Sequence, residues 1–318
     1  MNKSIGLIFA VFVALAVSYA FSARHGQSLP ATEITLNNAL LLDMQRAGQR
    51  LVAVGERGYI FVSENEGAAW RRVQSGIEST LNAVAFSDLV GIAVGHDAAI
   101  LRSEDGGLTW KAVFSAPDQL RPLLDVAFVS PQHVLAVGAY GAFFESADGG
   151  LNWTERQIVD GDRHFNAVAR LADGTLMIAG EAGTLLRSSD VGANWEVLPP
   201  VYAGSYFGIQ PLAQGVLVYG MRGTVLRSDD RGDNWQTLAS EGAGSLFGST
   251  MTTDGSILLV GQNGSVLGSR DGGASFKRLP VRGSRLWMAA VAAPVAGEAM
   301  IFGEGAFARI DAAEGEKQ

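Results

Sequence analysis

The chain has 318 residues, 47% of them hydrophobic and 18% charged, with a formal charge of −8 and no cysteine. These proportions exclude a disordered chain, disulfides, thiolate nucleophiles and sulfur-ligated metal. Nucleic-acid binding by phosphate tracking is excluded too, since it needs clustered Lys and Arg and no basic run is present.

The N-terminus reads as an export signal. Lys3 is followed by an uncharged apolar stretch over residues 5–17, then by the small-residue pattern Ser18-Tyr19-Ala20 and a second such pattern, Ala20-Phe21-Ser22. The apolar run falls short of the about 20 residues of a spanning helix. Removal of residues 1–22 by a Sec-type route is therefore expected, with an uncleaved inner-membrane anchor as the alternative. Either places the rest of the chain outside the cytoplasm, in a periplasm-like compartment.

Beyond the signal the 40 glycines have no G-X-Y period and fall at regular intervals. An apolar run ending in glycine recurs over residues 51–55, 92–95, 134–138, 176–180, 216–220, 257–261 and 299–303. Successive glycines lie 40, 43, 42, 40, 41 and 42 residues apart. That is the period of a four-stranded propeller blade. The first six glycines are each followed 15 residues later by an aromatic: Trp70, Trp110, Trp153, Trp195, Trp235 and Phe276. Constant spacing within the unit and variable spacing between units is what rigid hairpins joined by elastic loops produce.

The second unit shows how each is read. Residues 81–86 alternate as a first strand, 91–95 form the second, 100–103 the third and 110–113 the fourth. Between the third and fourth stands Ser-x-Asp-x-Gly-x-x-Trp, an Asp box. Its carboxylate is Asp105, Asp148, Asp190, Asp230 and Asp271 in the second to sixth units, and Asn65 takes its place in the first. A short carboxylate accepts turn N–H groups, glycine takes the positive-φ position and the aromatic covers the hairpin. Each such aspartate belongs to its own hairpin, so these carboxylates are structural and converge on no metal. His25, His96, His133 and His164 stand singly and suggest no metal site.

The seventh unit has three evident strands, over 287–291, 300–303 and 307–310. Its fourth is expected from Glu33-Ile34-Thr35-Leu36, pairing with the last blade to close the ring. The expectation is an all-β fold: a seven-bladed β-propeller with four-stranded antiparallel blades. Residues 23–312 would form its single domain and 313–318 a polar C-terminal tail.

In such a ring the first strands line a central channel. The second-to-third turns and the links between blades share one face, opposite the Asp boxes. This face collects Arg57, His96, Arg121, Tyr140, Arg163, Tyr206, Arg222, Arg282 and Arg285, and Arg and Tyr are favoured interface anchors. These residues are the expected partner-binding set. Arg102, Arg187 and Arg227 share a third-strand position and are expected to bond neighbouring turns. No catalytic group, metal or cofactor is expected. The competing reading is a sialidase-like glycoside hydrolase or a carbohydrate-binding propeller, since sialidases also carry Asp boxes. Tyr59, Tyr140, Tyr202 or Tyr206 with Glu56 or Glu181 would be its raw material, but the expected Phe-Arg-Ile-Pro signature is absent and no spacing selects a pair.

The recurring Ala-Val-Gly-x-x-Gly-x-hydrophobic-x-x-Ser-x-Asp-Gly-Gly-x-x-Trp, best matched by residues 95–110 and 138–153, resembles the photosystem II stability and assembly factor family. The likeness runs over residues 33 to 310. It implies a seven-bladed, non-enzymatic, cofactor-free protein, monomeric on its own, in the periplasm or, in a photosynthetic host, the thylakoid lumen. It further implies binding of a newly made membrane protein through an arginine-bearing face. Arg57, Arg121, Arg163, Arg222, Arg282 and Arg285 lie in comparable loops. Relatives in non-photosynthetic bacteria imply a second setting, docking to an envelope complex such as an RND-type transporter.

Overall fold

The structure, a computed structural model, describes residues 2–21, 36–240, 242–282, 286–293, 295–304 and 306–316. Two compact units are present, residues 1–34 and 35–318. In the first, Asn2–Phe21 is an α-helix whose Ile8, Phe12, Leu15 and Tyr19 stand exposed.

The second unit is seven four-stranded antiparallel sheets, each built from four consecutive strands in sequence order. The innermost strands are Leu41–Ala47, Leu81–Ser87, Leu123–Phe128, Phe165–Arg170, Tyr206–Pro211, Leu246–Met251 and Trp287–Ala292. Each packs against the innermost strand of the next blade, and the last packs against the first. This is a seven-bladed propeller.

Sequence pattern and burial agree strand by strand. Second strands are unbroken apolar runs because neighbouring blades cover both their faces; Val134–Gly138 is buried at every position. Fourth strands are short and exposed, as in Thr154–Glu155 and Gln236–Thr237, which leaves little free edge for another chain to pair with. The core is consequently divided among the seams. Val52, Val54 and Ile60 of blade 1 pack with Leu81, Val84 and Ala93 of blade 2. Leu258 and Val260 of blade 6 pack with Trp287 and Ile301 of blade 7. Each such Val, Leu or Ile side chain contributes about 1.5–3 kcal/mol through burial.

The Asp boxes hold themselves together. In blade 2, Ser103 Oγ donates to Asp105 Oδ1 (2.9 Å) and accepts the Gly107 N–H (2.9 Å), while Asp105 Oδ1 accepts the Thr109 N–H (2.9 Å). Trp110 Nε1 closes the turn on the Gly107 carbonyl at 3.0 Å. Asn65 does the same work in blade 1, its Oδ1 accepting the Ala69 N–H at 2.7 Å, because the turn needs only an acceptor oxygen.

Each box is also gripped by the preceding blade. Arg102 Nε donates to the Gly149 carbonyl (2.8 Å), Arg187 Nη1 to the Arg231 carbonyl (3.1 Å) and Arg227 Nη1 to the Gly272 carbonyl (2.7 Å). The shared third-strand arginine is thus an inter-blade tie, as its repeated position suggested.

Ring closure differs in one respect from the sequence reading. The last blade takes its fourth strand from Gly315–Glu316, so residues expected as a free polar tail are structural. Asp311 Oδ1 accepts the Ala313 N–H (2.8 Å) and Gly315 adopts φ +95°, which together turn the chain back onto Ile310. Of the segment expected to fill that place, residues 33–35 lie outside the described residues and Leu36 begins a short 3-10 turn, Leu36–Asn38. Leu40 forms a single bridge to Glu304. Side chains fasten the seam between blades 7 and 1. Arg46 forms a two-pronged pair with Glu66 (2.7 and 2.8 Å) and reaches the Ala292 carbonyl, Arg309 donates to the Glu66 carbonyl (2.9 Å), and Trp70 stands edge-on to Phe302.

Candidate functional site

One backbone device builds the loop face. The residue after each second-strand glycine donates its N–H to the carbonyl just before the innermost strand: His96 to Thr80 (2.8 Å), Ala139 to Pro122 (2.9 Å), Met221 to Ser205 (2.9 Å), Gln262 to Ser245 (2.8 Å). Strand and link come so close that a Cβ on Gly95 would lie 2.0 Å from the Thr80 oxygen and one on Gly138 2.2 Å from the Pro122 oxygen. This is why the repeat carries glycine there.

The turn that follows is a 3-10 turn whose middle residue is left-handed. In blade 6 it is Asn263 (φ +56°), a residue that tolerates that region. In blades 1, 3 and 5 it is Arg57 (φ +52°), Tyr140 (φ +56°) and Arg222 (φ +56°), side chains for which the conformation is unfavourable by about 1–2 kcal/mol. All three are exposed, Tyr140 by 53%.

The remaining expected residues divide. His96, Arg163 and Arg282 are exposed on the same face, with Arg163 Nη1 donating to Thr184 Oγ1 at 3.2 Å. Tyr140 packs edge-on against His164, ring centroids 4.8 Å apart. Arg121 is half-buried and paired with Glu155 at 2.7 Å. Arg285 lies outside the described residues. Tyr206 is a correction: it opens the innermost strand of blade 5, where side chains point between blades, and is fully buried with Leu185 and Val216. It is a core residue.

A second feature of the ring escaped the sequence reading. Every innermost strand has a register irregularity after its first residue, as between Leu41 and Asp43 or Leu81 and Ala83. Bulges of this kind re-aim side chains. Here they surround a central cavity of about 300 Å³ lined by all seven blades. Asp43 of blade 1 accepts the Met44 N–H (2.7 Å) and, across the seam, the Val84 N–H (2.8 Å). Asp125 of blade 3 repeats this with Val126 and Val168, both at 2.8 Å. In the alternate blades, Asn82 and Asn166 donate Nδ2 to the Leu123 and Tyr206 carbonyls at 2.7 Å. Removal from bulk water pushes Asp43 up to about 6, with its two backbone N–H bonds opposing. Asp125 is pushed up to about 7 by the same burial, with the Asp43 charge adding to it. Both keep some exposure to the channel interior. Tyr219 donates to Ser249 Oγ at 3.0 Å, and burial raises its phenol above the ordinary value. The available clue was a carboxylate in the third place of two strands that open alike, Leu-Leu-Asp at 41–43 and 123–125.

The residues a sialidase-like reading would need are not assembled. Glu56 Oε1 accepts the Leu40 N–H (3.0 Å) and Glu181 Oε1 the His164 N–H (2.9 Å), equivalent structural bonds in blades 1 and 4. Tyr59 is buried beneath the Arg72 guanidinium, 4.4 Å from its ring centroid. The Asp-box carboxylates are saturated locally: hydrogen bonds from Asn152 hold Asp148, those from Asn194 hold Asp190, and those from Asn234 hold Asp230, each at about 2. Among the described residues no three His, Asp or Glu side chains are grouped as metal ligands.

Six Asp-box hairpins on a ring of seven four-stranded blades around a narrow channel define an Asp-box β-propeller. Residues 115–266 match the family model described as photosynthesis system II assembly factor YCF48. No curated protein sequence matches it. Among solved structures it is similar to YCF48 bound to D1 peptide, at 18% identity and TM-score 0.70, over 89% of this chain and 99% of that one. It is similar also to YCF48 from Cyanidioschyzon merolae (17%, TM-score 0.68, 85% and 95%). A glycoside hydrolase, the GH74 enzyme of Niastella koreensis, shares the fold at 14% identity and TM-score 0.65, over 86% of this chain and 52% of that one.

Proposed function

We propose that the chain is an exported, non-enzymatic binding propeller that docks an exposed segment of a membrane protein or envelope complex through its loop face. The observation that carries this is the strained display of Arg57, Tyr140 and Arg222. Left-handed turn positions on this rim place three large, exposed side chains of interface-anchor type on one face, where blade 6 uses the better-suited Asn263. Arg163, His96 and Arg282 extend the same face, and Arg and Tyr are the residue types that dominate interface energetics. The similar propeller YCF48 is bound to D1 peptide, which favours a photosystem assembly role in a photosynthetic host. In another host, an envelope machine such as an RND-type transporter takes that place. The apolar helix Asn2–Phe21 favours export to the periplasm or lumen, cleaved or retained as an anchor.

The test is co-purification from detergent-solubilised host membranes. Arg57→Glu with Arg163→Glu and Arg222→Glu should remove the membrane partners and leave the melting temperature within a few degrees of the parent. Unchanged partners with the triple variant would remove the loop face from consideration. The likeness to the GH74 enzyme favours one second reading, glycoside hydrolysis. Turnover of fluorogenic glycosides, lost on Asp125→Asn, would replace the binding reading.

A further inference from the structure

We propose that the central channel is a binding site for an organic ammonium ion with an apolar stem, the chemistry shared by a lysine side chain and a free alkylamine. The cavity has two unlike walls. Blades 1 to 4 supply acceptors. Asp43 and Asp125 face the cavity with carboxylates, and Asn82 and Asn166 face it with amides that each give one Nδ2 hydrogen to a backbone carbonyl and offer Oδ1 as an acceptor. Blades 5 to 7 supply Phe207, Phe247 and Met288, the two rings 5.2 Å apart between centroids. At the register position of the two aspartates, blades 5 and 6 carry Gly208 and Gly248, so no carboxylate stands on that wall.

The lining carries two carboxylates and no positive charge. No lysine, arginine or histidine is among its residues, and its titratable groups are Asp43, Asp125 and Tyr219, whose hydroxyl is given to Ser249. The Gln210 amide donates to the Pro211 carbonyl. A ligand that matches these walls brings several N–H donors and a positive charge to one side and methylenes to the other. Alkylammonium does this, and the aromatic pair attracts a cation as well as packing on its stem. A hard divalent ion fits poorly. It wants six or more oxygens, whereas among the described residues no three carboxylate or histidine side chains are grouped to supply them. The cavity volume of about 300 Å³ suits a short amphipathic chain. The inference is independent of the loop-face reading.

Calorimetric titration of the full-length protein with n-hexylammonium chloride tests it. A single site is expected, tightening about tenfold from about pH 5 to about pH 8 as the channel carboxylates ionise, with n-hexanol silent. Asp43→Asn with Asp125→Asn should abolish the heat. If that variant does not fold, the pH dependence of the parent protein decides. A glycine-flanked lysine peptide, compared with its norleucine counterpart, distinguishes a protein-borne ammonium from a free amine, and uptake of either supports the site. The proposal is overturned if neither binds, if hexanol binds as well as the amine, if affinity is flat with pH, or if calcium chloride alone titrates the cavity.

Discussion

The two rims of the ring use turns of similar length for opposite ends. On the Asp-box rim every box carboxylate is filled by its own turn, although Glu66, Val191 and Arg231 take positive φ there as well. Gly107 takes φ +87°, and Asp148 accepts the Leu151 and Asn152 N–H groups along with the Asn152 amide. On the loop rim the same backbone region is occupied by Arg57, Tyr140 and Arg222, which make no use of it. The first rim is built to hold blades together. The second is held in place by the carbonyl–N–H pins at its base, which let it carry unfavourable side chains at its tip. Stability and display are separated onto opposite faces of one sheet.

The largest expected effect attacks those pins. Gly95→Val forces a side chain against the Thr80 carbonyl and should destabilise by about 3 kcal/mol or more, read as a lowered denaturation midpoint. Asp148→Asn, by contrast, should change the midpoint little, because Asn65 already serves blade 1; a drop as large as that of Gly95→Val would break the distinction between the rims.

Next in size is the pH profile, in which box and channel carboxylates pull oppositely. Box aspartates have lowered values in the fold, near 2 for Asp148, so their stabilisation is present above the unfolded value near 4 and is lost as pH falls through about 2. Channel aspartates have raised values. Their protonated form is favoured in the fold, so stability is greatest below about pH 4 and declines as pH rises through about 6 and 7. Melting temperature should therefore peak near about pH 4 and fall by a few degrees towards pH 8. Asp43→Asn with Asp125→Asn should flatten the upper arm alone.

The smallest effect sharpens the comparison. Arg222→Asn installs the residue blade 6 already uses and should raise stability by about 0.5–1 kcal/mol. It should weaken partner capture at the same time. A stability loss would mean that the Arg222 side chain supports the fold.

Much of this architecture was legible because its causes are local. The 15-residue interval from glycine to aromatic, the Ser-x-Asp turn and the third-strand arginine operate within a hairpin or between neighbours, so their chemistry repeats wherever the residues do. The candidate site was legible only in part. Arg57, Tyr140 and Arg222 could be placed on one face from turn position, but Tyr206 could not be told from a rim tyrosine, since its burial depends on being first in a strand rather than last in a link. The glycines of the second strands were visible as a pattern without a reason until Thr80 and Pro122 appeared beside them.

By its sequence alone the chain determined seven blades, the hairpins within them and the faces to which their turns belong, because short-range turn chemistry and period-two alternation act before any long-range contact. Tertiary structure alone decided that Asp43 and Asp125, 82 residues apart, share one channel with Phe207 and Phe247, and that Gly315–Glu316 completes the last blade. Those outcomes depend on how seven twisted sheets share an axis. Only closure of the ring brings together side chains that no local pattern relates.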